Sequence, residues 1–124
     1  EALIRLAGCG LVETEERRGF RVPAATMDDL RDITAQRQLI EREAVRQATL
    51  NATDQWESEV LAAYHRMRRV EEAAEISGAI QWEQWEERHR DFHAVLIAGA
   101  GSRRLTQFHR ILYDQGDRYR RLTR

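Results

Sequence analysis

Two histidines, four residues apart, are the first feature of this sequence that could do chemistry. His89 and His93 lie in the segment ERHRDFHAVL, residues 87–96. In a helix, side chains at positions i and i+4 leave the same face about one turn apart, so the two imidazoles would be neighbours. Such a pair can hold a metal ion, bind an anionic ligand or only fill a polar pocket. The two residues by themselves leave these three interpretations open.

A charged residue interrupts the apolar face of another predicted helix. The face consists of residues that recur every three or four positions: Leu30, Ile33, Arg37, Ile40, Ala44 and Ala48. A guanidinium on an inner face is costly unless an anion, a carboxylate partner or water neutralises it. Together with the histidines, Arg37 therefore predicts a polar cavity inside a helical bundle.

Four helices would position these side chains. The first begins at Thr26, a residue suited to capping, with Asp28 and Asp29 in its first turn, and reaches about Leu50. Ser102 can cap the fourth helix. The inner faces of the second, third and fourth helices are predicted as Trp56, Val60, Tyr64, Met67 and Val70; Trp85, His89, Phe92, His93 and Leu96; and Leu105, Phe108, Leu112 and Tyr119. Because the breaks between helices are short, we predict a mostly α protein with an antiparallel helical bundle.

The first 23 residues form a different unit. EALIRLAG looks like the end of an amphipathic helix, and GLVETEERRGFRV predicts a two-stranded hairpin that turns at Arg18 and Gly19. Pro23 marks the exit, so the predicted boundary separates residues 1–23 from an all-α domain at 24–124. The chain lacks an initiator Met and reads as a fragment.

Composition excludes some partners. The net charge of −1 favours neither nucleic acid nor a membrane surface for the whole molecule. No apolar run approaches the roughly 20 residues that span a bilayer, so no membrane partner is expected. The single Cys9 rules out an internal disulfide and fits a cytoplasmic protein.

Three segments carry a resemblance to a known family. EALIRLAGCGLVETEERRGFRV resembles the end of the winged helix-turn-helix of GntR-family transcription regulators. DDLRDITAQRQLIEREAVRQA and RDFHAVLIAGAGSRRL resemble two parts of the FCD ligand-sensing domain of the FadR-like subfamily, whose first helix has the pattern R-x-x-x-E-x-x-A. The second of these is especially similar to the branch that contains the CsiR repressor of glutarate-related catabolism.

The resemblance implies a homodimeric, DNA-binding regulator that senses a small carboxylate. His93 stands where the family has a metal ligand, and His89 where it commonly has Asp, so the implied divalent metal is Zn or Ni. The family's other ligands follow on later helices, so the sensing domain is expected to be truncated after Arg124. Arg37 stands where the family faces the effector carboxylate, which could belong to a dicarboxylate such as glutarate and also touch the metal. Arg17, Arg18 and Gly19 stand where the wing meets operator DNA.

Two other classes of function compete with this interpretation. A small metal-dependent enzyme is disfavoured because there is no H-E-x-x-H motif, phosphate loop or nucleophile elbow. In addition, Asp91 points away from the histidine face. We therefore predict that the protein is not an enzyme. A structural dimerisation module without an effector would show no ligand-dependent stability. His65 and His109 are predicted to be structural, and His109 is the more suited of the two to line a pocket.

Overall fold

A computed structural model describes residues 13–15, 19–21 and 24–122. In this part of the chain a hairpin precedes four helices. The elements are β1 (Glu13–Glu15), β2 (Gly19–Arg21), α1 (Met27–Leu50), α2 (Asp54–Ser77), α3 (Trp82–Ala98) and α4 (Arg103–Leu122). The predicted mostly α fold class is confirmed. None of the described helices combines the length and apolarity needed to cross a bilayer.

The predicted hairpin is also present. β1 and β2 pair antiparallel, with Glu13 opposite Arg21 and Glu15 opposite Gly19. Gly19 is therefore the first residue of the second strand. Arg17 and Arg18, like the predicted helix at residues 1–8, lie outside the described residues.

The helices begin where the sequence offers a capping side chain. In Thr26, Thr53 and Ser102 the side-chain oxygen accepts the backbone N–H three residues later, at 3.1, 3.1 and 3.2 Å. Each such cap stabilises a helix by about 1 kcal/mol. Gly78 ends α2 with φ at 80°, a left-handed conformation that glycine adopts without strain. The caps predicted at Thr26 and Ser102 are confirmed.

The described chain divides into two compact units, and α1 and α4 each contribute to both. The first unit runs to Ile40 and resumes at Gln107, and the second is Glu41–Thr106. In the first unit, α1 and α4 run antiparallel, because Ile33 faces Gly116 while the earlier Asp29 bonds the later Tyr119. Ile33 and Tyr119 are both buried.

In the second unit, α2 and α3 form an antiparallel pair. The indole N–H of Trp56 donates to the carbonyl of Val95 at 2.9 Å, and Arg88 donates to the carbonyl of Arg66 at 2.8 Å. A small apolar core joins them to the end of α1. Its members are Ala44, Ile97, Ala100 and Leu105. Alanines dominate this core, which lets the helices approach closely.

Two details of the predicted faces are wrong. Tyr64 and Phe108 were placed on inner faces, yet they are 47% and 52% exposed. In the middle of α4 the buried positions fall one residue later than the predicted Phe108 and Leu112, at His109 and Tyr113. The predicted Tyr119 is buried, and Leu105 packs against the core. Each residue turns the helix by about 100°, so an error of one position moves the predicted face by that angle. When a helix has few apolar residues, their pattern does not define the inner face closely enough to prevent such an error.

Candidate functional site

The two histidines of α3 are in contact. The Nε2 atoms of His89 and His93 lie 3.1 Å apart. On the other side of the His93 ring, Nδ1 lies 3.1 Å from Oε1 of Glu41, and both side chains are mostly buried. The three residues belong to the second unit. The sequence spacing correctly placed the imidazoles together, but sequence reasoning missed Glu41.

An aromatic side chain fixes the orientation of the first histidine. Trp85 lies one turn before His89, and the two rings are stacked with centroids 4.4 Å apart and 14° between their planes. The ring of His93 meets His89 edge-on at 75°. The buried indole N–H of Trp85 has no acceptor among the described residues. A donor of this kind normally has a partner, so a water or ligand atom is expected beside it.

The carboxylate of Glu41 decides which nitrogen of His93 carries a proton. Since a carboxylate accepts, Nδ1–H of His93 donates to it, and the lone pair of His93 then lies on Nε2. That lone pair faces His89, so two arrangements are chemically consistent. Either Nε2–H of His89 donates to it, or both Nε2 lone pairs converge on one cation.

The geometry passes a simple test for metal binding. Two nitrogens about 2.05 Å from a tetrahedral zinc ion are about 3.3 Å apart, close to the distance seen here. Imidazole suits zinc and nickel. A carboxylate that accepts the other N–H of a ligating histidine is a common support for such a site. The residues therefore fit a metal, although two ligands do not complete its coordination. When bound, a divalent ion would offer a carboxylate oxygen a coordination position.

Arg37 lies in the first unit. It is half-buried and lines a cavity of about 180 Å³ together with Ile33, Thr34, Tyr119 and Arg120. The histidines lie in the second unit, so a site shared by Arg37 and a metal stays a prediction.

A hydrogen-bonded tyrosine forms one wall of this cavity. The hydroxyl of Tyr119 donates to Oδ2 of Asp29 at 2.6 Å and accepts the backbone N–H of Thr26 at 3.3 Å. The bond to the Asp29 carboxylate, followed by burial, raises the pKa of Tyr119. These two hydrogen bonds therefore connect Tyr119 to the start of α1.

Glu41 and Arg120 were absent from the predicted site residues. Glu41 had a sequence signal, since it lies one turn after Arg37 and matches the Glu of the R-x-x-x-E pattern. Arg120 had none, because its place depends on the pairing of α4 with α1. His65 is exposed, and His109 is buried with its ring 5.8 Å from that of Tyr113.

Comparisons with known proteins point to one family. The FCD domain family matches residues 32–124. The chain is 42% identical over 123 residues to the uncharacterized HTH-type transcriptional regulator BphR of Paraburkholderia xenovorans (strain LB400), covering 99% of this chain and 50% of that protein. It is 35% identical over 120 residues to the HTH-type transcriptional repressor GlaR of Escherichia coli (strain K12), covering 97% of this chain and 54% of that protein. The chain spans about half the length of these relatives.

A solved structure has the same fold. Escherichia coli McbR/YncC superposes with a TM-score of 0.74 at 22% identity, covering 93% of this chain and 55% of that one. Both relatives are named as HTH-type transcription regulators, which agrees with the prediction that the protein is not an enzyme. Because the family match extends over three quarters of its length, the chain belongs to the FCD domain family.

Proposed function

We propose that the protein binds operator DNA in the cytoplasm as a homodimer and that its FCD domain changes this binding when it takes up a small carboxylate. The observation that carries the proposal is the match of residues 32–124 to the FCD domain family. The two relatives support it, since both are named as HTH-type regulators and one of them is a repressor. In this proposal residues 1–23 are the end of a winged helix-turn-helix and residues 24–124 form the sensing domain. Arg17, Arg18 and Gly19 of the wing would supply backbone contacts that set affinity and register.

A divalent metal, zinc or nickel, is the second part of the proposal. Its ligands from α3 would be Nε2 of His89 and Nε2 of His93. The 3.1 Å approach of these atoms and the carboxylate of Glu41 on Nδ1 of His93 support this assignment. The hydrogen bond to Glu41 holds the ring of His93 in the one tautomer that leaves Nε2 able to coordinate.

Arg37 would bind the effector carboxylate, for instance that of glutarate. A guanidinium offers two parallel N–H donors to a carboxylate, and its half-buried position excludes much of the competing water. Binding alters operator affinity only to the extent that the effector prefers one of two states of the protein. The required property is therefore a difference in effector affinity between the DNA-bound and the free protein.

The metal assignment is tested by titrating chelator-treated protein with Zn²⁺ and Ni²⁺ in a calorimeter. We expect one ion per chain, loss of binding in His93→Ala and unchanged binding in His65→Ala, since His65 is exposed and serves as the matched control. Equal binding by the two variants would contradict the assignment.

The effector assignment is tested by fluorescence anisotropy on DNA fragments selected from the host genome. We expect glutarate or a related C4–C6 dicarboxylate to shift the DNA affinity of the wild type by about 5- to 150-fold. Arg37→Ala should lose the shift while staying helical by circular dichroism, and the exposed Arg42→Ala should keep it. A normal response of Arg37→Ala would exclude Arg37 as the effector contact.

A further inference from the structure

Four aromatic rings follow one another along one side of α3. Trp82, Trp85, His89 and His93 are spaced three, four and four residues apart, and these spacings place side chains on the same face of a helix. Neighbouring rings are in contact, with centroids 6.1, 4.4 and 4.5 Å apart along the series. Trp82, at the start of the row, is 43% exposed. The other end of the row is the pair of proposed metal ligands.

The contact between Trp85 and His89 differs from its neighbours in the row. Trp82 meets Trp85 edge-on at 84°, and His93 meets His89 edge-on at 75°. Trp85 and His89 instead lie nearly parallel, with 14° between their planes. A parallel neighbour in close contact restricts an imidazole, because rotation about its side-chain bonds would drive the edge of the ring into the indole. The stack therefore holds His89 in the orientation in which its Nε2 atom lies 3.1 Å from that of His93.

Ring packing holds the indole of Trp85 itself. Its buried N–H has no acceptor among the described residues, whereas its ring contacts His89 through its face and packs edge-to-face with Trp82. Phenylalanine at this position could therefore keep an aromatic face beside His89 while losing the N–H. Leucine would remove the aromatic face and remain a good helix former. The two substitutions separate the effect of the face from that of the N–H.

The face of an indole also favours a positively charged neighbour. A divalent metal draws electron density from an imidazole that binds it, so the ring gains positive charge. The indole face attracts cationic groups within about 6 Å of its centroid, and the ring of His89 lies at 4.4 Å. The stack should therefore stabilise the metal-bound form of His89 more than its free form.

We propose that Trp85 is a positioning residue of the metal site, whose indole face orients His89 toward His93 and raises the affinity of the pair for a divalent metal. The inference rests on the proposed metal site and adds a residue that does not itself coordinate. Each of the two proposed ligands then has a support of its own: Glu41 bonds Nδ1 of His93, and Trp85 stacks on His89. Such supports orient the ligands and set how tightly a metal is held.

The test is calorimetric titration of chelator-treated protein with Zn²⁺ and with Ni²⁺. Trp85→Leu should weaken the binding of both ions by about 5- to 30-fold, the contribution of an aromatic face to a cation that it contacts. Trp85→Phe should restore binding to within about 3-fold of the wild type, because a benzene ring also presents a negative face. Trp82→Leu is the matched control, since it makes the same change two turns before His89, and should alter binding less than about 2-fold.

A readout without metal tests the stack itself. An aromatic ring shields the nuclei above its face, so the ring protons of His89 should resonate upfield of those of the exposed His65 in the wild type. The upfield shift should be lost in Trp85→Leu and partly kept in Trp85→Phe. A purely structural role of Trp85 would lower the Tm of Trp85→Leu without changing the metal affinity of the folded protein, which circular dichroism identifies.

Failure of this inference differs from failure of the proposed metal site. If folded Trp85→Leu binds both ions as tightly as the wild type, the role of Trp85 is overturned and the metal site stands. If Trp85→Phe binds as weakly as Trp85→Leu, the aromatic face is not the support of His89, and the inference is overturned as well. If the wild type binds neither ion, the proposed metal site falls and this inference falls with it.

Discussion

The two units of this chain build their polar sites in different ways. In the second unit, Trp85, His89 and His93 follow one another at single-turn spacing on α3, and Glu41 of α1 contacts His93. In the first unit, Arg37 and Arg120 meet at a cavity because two helices that are distant in sequence run antiparallel. A site on one helix can be seen in the order of residues, whereas a site between two helices depends on their pairing.

The largest expected difference in stability between the units concerns substitutions at two glycines. At Gly99 of the second unit, a Cβ would overlap the indole of Trp56 and approach the Ala48 methyl within 2.8 Å. Gly99→Val should therefore displace Trp56, break its bond to Val95 and destabilise the protein by about 3 kcal/mol in urea denaturation. Gly116→Ala of the first unit is the opposite case, since a Cβ there would lie 3.8 Å from its nearest neighbours, and should be stabilising. If both substitutions lowered the free energy of unfolding by similar amounts, the two glycines would be equally tightly packed.

The next largest loss of stability is expected when His93 is replaced. This ring has a polar contact on each nitrogen, so His93→Ala should destabilise the protein by about 1–2 kcal/mol in the absence of metal, and more than His89→Ala does. A double-mutant cycle of His93→Ala with Glu41→Gln should give a coupling free energy of at least about 0.5 kcal/mol. Additive effects would show that the contact with Glu41 does not hold the ring.

Tyr119→Phe probes the wall of the cavity in the first unit. Loss of the hydroxyl bond to Asp29 should cost about 1 kcal/mol at neutral pH. Because folding raises the pKa of Tyr119, the protein gains stability from the protonated hydroxyl below the ordinary value of 10.0. That gain is lost as the pH rises through the folded pKa. Urea midpoints of wild type and variant should therefore converge above pH 10, and a constant difference would contradict the assigned bond.

The smallest effect is expected at an exposed ion pair in the second unit. Arg46 donates to both oxygens of Glu43, at 2.9 and 2.6 Å, which lowers the pKa of Glu43 to about 2. The lowered pKa contributes stability above the ordinary value of 4.5, and this is lost as the pH falls toward about 2. Glu43→Gln should be slightly less stable than wild type at pH 7 and equal to it near pH 2. A difference that persists at pH 2 would exclude the ion pair as its cause.

The same contrast explains what the sequence could predict. The caps at Thr26 and Ser102, the hairpin and the contact between His89 and His93 all depend on residues within a few positions of one another. The faces of α4 were less predictable, because apolar residues are few there and His109 and Asp117 are buried among them. Arg120 could not be assigned at all, since most of the other residues that line the cavity come from α1, about eighty or more positions earlier in the chain.

The central claim is that His89 and His93 form a metal site that Glu41 supports. Proton–nitrogen correlation spectra of the ¹⁵N-labelled imidazoles, recorded during Zn²⁺ addition to chelator-treated protein, test it most directly. The Nε2 signals of both histidines should shift together and saturate at one equivalent, while Nδ1 of His93 remains protonated throughout. If the signals of His89 and His93 stay unchanged, or if the proton of His93 moves to Nε2, the metal site is contradicted.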